Sequence, residues 1–137
     1  MKLQINSGTQ IEDVQKEFSK VYPFLRIDFF KKPHAENQLS QRKDKIDPKN
    51  KISEEGKFVK AESIDISKYL TVAELEMDFF NKFGIALQVS RKSGNIWIET
   101  SLTDDWTLEM QNNQGEELST YNSVNSGEEE LDTREWV

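Results

Sequence analysis

Two short hydrophobic patterns recur along the chain. In residues 2–6 apolar and polar positions alternate, with Leu3 and Ile5 on one side, and residues 63–67 do the same with Ile64 and Ile66. Alternation of period two predicts a half-buried strand. A helical stripe follows each one. Ile11, Val14, Phe18, Val21 and Tyr22 are spaced to share one helix face, and so are Val72, Leu75, Phe79 and Phe83. Thr9 with Glu12, and Thr71 with Glu74, have the spacing of capping boxes that satisfy a helix's first free amides. Pro23 and Gly84 are placed to stop the two helices. Leu25, Ile27 and Phe29 then alternate with polar neighbours, as do Ile85, Leu87 and Val89, predicting two more strands.

The two stretches superimpose at a constant offset of 61 residues, Leu3 on Ile64, Ile5 on Ile66, Ile11 on Val72, Val14 on Leu75, Phe18 on Phe79 and Tyr22 on Phe83. Few of the matched positions are identical. The match is therefore a supersecondary pattern used twice, by duplication or by convergence.

The second half continues through a turn at Lys92-Ser93-Gly94-Asn95 into a strand over 95–100, with Ile96 and Ile98 on one face and Trp97 and Glu99 on the other. Residues 103–115 read two ways. Thr103 as N-cap, acids in the first turn and Gly115 at the end favour a short helix. The alternation of Trp106, Leu108 and Met110 favours a strand. The helix is the reading carried forward.

Two β-α-β units without further long helices predict an α+β fold of the ferredoxin-like sandwich type, β-α-β-β-α-β. The expected strand order is 4-1-3-2 with both helices on one face, an added edge strand 95–100 beside strand 85–91, and a short C-terminal helix. Many unrelated activities share that plan, so it assigns none.

Charge divides the chain further. Residues 31–60 hold nine Lys/Arg and five Asp/Glu, whereas 115–137 hold seven acids and one Arg. Few large apolar residues interrupt the basic stretch. Residues 32–60 are thus expected to be a flexible basic insertion, with a short strand at 57–60. The expected organisation is a single domain over 1–118 and an acidic disordered tail over 119–137.

Over 137 residues the net charge is −7, with no Cys and a single His. Disulfides, thiolate catalysis, Fe–S clusters, Cys zinc sites and His-pair metal sites are excluded. No apolar run approaches the ~20 residues that cross a bilayer, and residues 1–6 lack a signal peptide's apolar segment. A cytoplasmic protein without membrane contact is expected.

Comparing the two helices singles out a surface. Glu12, Lys16 and Ser19 flank the first stripe; the matching positions on the second are Ala73, Met77 and Phe80. Leaving a Phe and a Met in water forgoes ~1.5–3 kcal/mol of burial each. Two covers are foreseen: the chain's own Trp106, Leu108 and Met110 folding back, or a partner surface such as a second copy.

Catalytic chemistry finds little support. His34, beside Lys31, Lys32 and Pro33, has no orienting neighbour and reads as a surface residue. Asp104-Asp105 read as first-turn acids rather than a cation site, and Glu74, Glu76 and Asp78 as a solvated helix face. The loop over residues 6–10 has one Gly and no cation to hold a phosphate. Gln4 and Asp65 stand where an RNA-recognition sheet would place stacking aromatics, and Arg26, Asp28, Gln88, Glu99 and Trp97 make that face mixed and partly acidic, so nucleic acid is disfavoured on the sheet and not expected as a partner there. Glu135-Trp136-Val137 faintly resembles a carboxylate-terminated docking peptide.

The sequence therefore predicts a non-enzymatic protein–protein interaction or regulatory domain, capable of self-association, through Met77, Phe80, Trp97 and Trp106. No cofactor or metal is expected. The rival readings are a ligand-binding domain or enzyme with a pocket lined by Glu76, Glu99, Asp104 and Asp105, and a polyanion binder acting through Lys31, Lys32, Arg42, Lys43 and Lys45.

Overall fold

The structure, a computed structural model, describes residues 1–33 and 42–125. Its fold is mixed α+β. Strand β1 (Lys2–Ile5) leads to helix α1 (Ile11–Val21) and strand β2 (Leu25–Phe30). The one-turn helix α2 (Ile52–Glu55), strand β3 (Glu62–Asp65) and helix α3 (Val72–Phe83) follow. The hairpin of β4 (Ala86–Ser93) and β5 (Ile96–Glu99) precedes the last helix, α4 (Leu108–Asn125). Gly94, at φ 63°, makes the hairpin turn.

The strand-helix-strand order is the expected one, but the pairing departs from the 4-1-3-2 order. Among the described residues there are two antiparallel sheets: β1 with β3, Leu3 opposite Ile64, and β2-β4-β5, Ile27 opposite Val89 and Arg91 opposite Ile98. The β1–β3 and β4–β5 contacts are as predicted. β2, however, lies beside β4 rather than β3. Its other edge is occupied by the chain that follows: the Lys31 amide donates to the Asp44 carbonyl at 2.8 Å, and the Ile46 amide to the Phe29 carbonyl at 2.8 Å. Further along that edge the Ile27 carbonyl accepts from Gln15 Nε2 at 2.8 Å and the Leu25 carbonyl from Ser19 Oγ at 3.3 Å, so α1 rather than β3 covers it.

Helices α1 and α3 start with the same device. A helix's first amides lack intrahelical acceptors, and a passing segment supplies them. For α1, Ile11 N–H donates to Asn50 O and Glu12 N–H to Pro48 O, each at 2.9 Å. For α3, Val72 N–H donates to Trp106 O at 3.0 Å and Ala73 N–H to Asp104 O at 2.8 Å. The capping box of α3 is as predicted, with Thr71 Oγ1 accepting from Glu74 N–H at 3.1 Å and Glu74 Oε1 accepting from Thr71 N–H at 2.9 Å. That of α1 lies one residue later than expected: Asp13 accepts from Gln10 N–H at 2.9 Å, while Thr9 Oγ1 accepts from Asn6 N–H. Gly84 ends α3 at φ 72°, a left-handed conformation that suits glycine.

The core joins both helical stripes to the sheets. Phe29 and Phe79 pack at 5.0 Å between ring centres, as do Phe79 and Phe83. The basic stretch departs from the expected insertion in two respects. Ile46 and Ile52 are core residues, and Phe58 stacks on Phe83 at 6.1 Å. Residues 57–60 form no strand, because Gly56 brings this segment against the end of α3, where Lys57 N–H donates to Phe83 O at 2.7 Å. Helix α4 begins at Leu108 rather than 103, with Thr107 Oγ1 accepting from Met110 N–H at 3.1 Å. It also runs past 115 and past 118, to Asn125. Gly115 does not stop it. A side chain there would meet the Phe24 carbonyl at 3.0 Å, so the glycine permits close packing of α4 on the start of β2.

No helix among the described residues is long and apolar enough to cross a membrane. His34, Trp136 and Val137 lie outside the described residues.

Candidate functional site

The flank of α3 that the helix comparison singled out is open. Met77 is 66% and Phe80 42% exposed. The predicted cover by residues 106–110 does not form. Leu108 enters the core, Trp106 settles at the amino end of α3 with the Arg91 guanidinium 5.5 Å from its ring centre, and Met110 faces solvent. This segment is drawn to the free amides of Val72 and Ala73, one turn short of Met77. Ala73, Met77, Phe80 and Gly84 share one stripe, small at the ends and large in the middle.

Charge is segregated along that stripe. Glu74, Asp104 and Asp105 surround its amino end. Lys57 lies against Gly84 at its carboxyl end, and Lys82 pairs with Asp78 at 3.3 Å. The bonds from Thr71 hold the Glu74 carboxyl below its ordinary pKa, so it stays charged. Glu76 is half-buried, within one turn of Met77 and Phe80.

The other predicted residues fall on a second face. Backbone pairing of Phe30 with Lys45 brings Lys31 and Lys32 beside Arg42 and Lys43. Lys45 and Arg26 converge on the buried Asp28 carboxylate, at 3.5 Å and 3.1 Å, and Gln15 donates to it at 3.3 Å. Arg26 also lies over the half-exposed Trp97, 5.1 Å from the ring centre. Trp97 and Trp106 thus belong to different surroundings, one on the edge strand β5 and one in the segment before α4, against the amino end of α3.

Glu76, Glu99, Asp104 and Asp105 do not come together in a described cavity. Glu99 stands opposite Ser90 on β5, while Asp104 and Asp105 sit at the amino end of α3. Among the described residues, no three His, Asp or Glu side chains approach closely enough to hold a metal ion.

A groove that the sequence did not suggest lies between the end of α1, residues 67–69 and the first turns of α4. It encloses about 470 Å³ and is lined by Tyr22, Lys68, Tyr69, Glu109, Asn112 and Asn113, among others. Tyr22 counted as core in the helical stripe, and its hydroxyl gave no further signal. That hydroxyl donates to Ile66 O at 2.5 Å, and burial, reinforced by Asp65 and Glu109, pushes its pKa up to about 12. Asp65 is held below its ordinary range by two bonds from Ser67, at 2.5 Å and 2.9 Å. A shallower groove of about 290 Å³ runs between β1 and α1, beside Lys2, Asp13 and Glu17.

No family model, curated protein or solved structure matches this chain.

Proposed function

We propose that the chain is a non-enzymatic binding module that associates with a second copy of itself through the outer flank of α3. The exposure of Met77 and Phe80, on a flank the rest of the described chain leaves uncovered, carries this reading. An isologous contact requires a self-complementary surface. In an antiparallel α3–α3 pair centred between Met77 and Phe80, each Met77 faces the other copy's Phe80. Ala73 then faces Gly84, so small meets small where large meets large. The charges agree: each amino end, with Glu74, Asp104 and Asp105, opposes a carboxyl end with Lys57 and Lys82.

The β-α-β order and the β1–β3 pairing support a derivative of the ferredoxin-like plan behind this surface. The matched helix starts support one pattern used twice.

Sedimentation equilibrium, with protein up to about 0.5 mM to reach weak contacts, is the test. The expected result is a concentration-dependent rise toward the dimer mass. The double substitution Met77→Glu, Phe80→Glu should give a monomer with an unchanged melting temperature. A monomer throughout, or a dimer that survives the substitution, rejects the reading.

The groove beside Tyr22 supports a second reading, a small-ligand site. Its 470 Å³ volume falls in the range of such sites, ~300–1,000 Å³. Fragment screening by amide chemical shifts should then perturb Ser67, Lys68 and Asn113 together, and a screen that moves none of them discards it.

A further inference from the structure

Of the exposed charges, those at the end of β2 are the most sharply set apart. The chain as a whole is at −7, yet Lys31, Lys32, Arg42 and Lys43 are gathered at one place by the Lys31–Asp44 and Phe29–Ile46 backbone bonds. Nine residues of sequence separate the two halves of this cluster, so the fold, not the local sequence, assembles it. Among the described residues none of the four has an ion pair, whereas neighbouring Lys45 and Arg26 are both committed to Asp28. Four cations around the single acid of the 42–44 turn, Asp44, leave the patch at a net positive charge, which raises the local potential and attracts a polyanion.

Two features narrow the ligand's chemistry. Ile46, the large apolar residue of the 42–46 segment, is buried, so this patch offers nothing to insert into a lipid surface. The Asp28 cluster leads from the patch along β2 to Arg26 and on to Trp97, whose ring is half-exposed on the edge strand. Cations with an aromatic platform along the same strand match single-stranded nucleic acid, in which every base carries a face that can stack on the ring and every linkage a charge.

We infer that Lys31, Lys32, Arg42 and Lys43 bind the phosphodiester backbone of a single-stranded nucleic acid, with Trp97 stacking on a base. The cations lie just past β2 and in the 42–44 turn, and Trp97 on β5, whereas Met77 and Phe80 lie on α3.

The test is fluorescence anisotropy of a labelled mixed-sequence single-stranded oligonucleotide of about twelve nucleotides, matching the ~4–16 nucleotides a small domain covers. It is titrated with the full chain at several salt concentrations. Four phosphate contacts predict a slope of log K against log salt of roughly −2.8, or about a 600-fold loss of affinity over a tenfold rise in salt. Lys31→Glu with Lys32→Glu, and separately Arg42→Glu with Lys43→Glu, should each abolish binding or at least halve that slope. Trp97→Ala should weaken binding about tenfold with the slope unchanged. All of these residues are exposed or half-exposed, and unchanged melting of each variant confirms that the fold is intact. Phe80→Glu should bind as the parent does. Absence of binding at low salt, insensitivity to the charge reversals, or equal affinity for polyglutamate overturns the inference.

Discussion

The Tyr22 hydroxyl donates a 2.5 Å hydrogen bond to the Ile66 carbonyl, joining the end of α1 to the residue just past β3 across 44 positions of sequence. The ring is buried, and the phenol resists ionisation until about pH 12 instead of its ordinary 10.0. Removing it by Tyr22→Phe leaves the Ile66 carbonyl without this donor and should cost about 1 kcal/mol near neutral pH. The sign of the pH dependence follows from the raised pKa. The neutral phenol's contribution is complete below pH 10 and fades as pH rises toward 12. Urea unfolding of both proteins should therefore show their stabilities converging over that interval. A constant gap across it removes Tyr22 as the cause.

Thr71 and Glu74 exchange hydrogen bonds at the start of α3, and the exchange holds the Glu74 carboxyl below its ordinary range. Thr71→Ala should cost about 1 kcal/mol as a lost N-cap. A lowered carboxyl pKa contributes stability that is present above the ordinary glutamate value and lost as pH falls through the depressed one. The variant should accordingly lose less than the parent on acidification, and Glu74 should titrate higher by NMR. If Glu74 keeps its low pKa in the variant, the capping box is not its cause.

Ile52 is fully buried although it belongs to the basic stretch. Ile52→Ala should cost ~2–5 kcal/mol, as for any large-to-small change in a core. Chemical denaturation measures it directly. A cost below about 0.5 kcal/mol, the level of a surface substitution, would show that this segment does not belong to the core.

Gly115 tests a sign. Within an exposed helix, Gly→Ala stabilises by up to about 1 kcal/mol. Here a Cβ would meet Phe24 Cβ at 2.9 Å and the Phe24 carbonyl at 3.0 Å. The Arg91 stem, at 3.2 Å, can bend away, but the Phe24 backbone cannot. Gly115→Ala should thus lower stability by ~1–3 kcal/mol, the cost of overpacking. A higher melting temperature in the variant contradicts the close approach of α4 to β2.

These cases show what was legible in the residues. Local periodicity disclosed both strand-helix-strand runs, because each buried stripe repeats within one element. The open flank of α3 could be read because α1 supplied a polar counterpart at Lys16 and Ser19. The partner of β2 could not, since the segment that occupies the far end of its other edge, at Asp44 and Ile46, is distant in sequence. Ile46 and Ile52, six residues apart, make no period, so a segment anchored by two side chains resembled a loop. Gly115 resembled a helix stop because close packing and chain termination both select glycine. The cationic residues were visible singly, whereas their assembly depends on the same long-range pairing at the end of β2.

Gln111, fully buried in α4, bridges that helix to the hairpin. The Arg91 guanidinium donates to its Oε1 at 2.8 Å, and its Nε2 donates to Thr103 O at 2.7 Å and to Thr103 Oγ1 at 2.9 Å. Burial lowers the Arg91 pKa, yet the group remains a cation under all ordinary conditions. Gln111→Leu keeps the volume and removes every acceptor and donor, leaving a largely sequestered guanidinium without this partner. Hydrogen bonds to charged groups are worth ~1.5–3 kcal/mol, and an unsatisfied buried group costs at least as much. The variant should lose ~2–4 kcal/mol, whereas Gln111→Glu, which retains the acceptor for Arg91 but not the donor to Thr103, should lose less. Denaturant unfolding of the two variants separates the contributions. If Gln111→Leu is as stable as the parent, Arg91 is satisfied by solvent and other contacts hold α4, among them the Phe24 N–H donating to Asn112 Oδ1 at 2.9 Å and the Glu109 N–H to the Lys68 carbonyl at 3.1 Å.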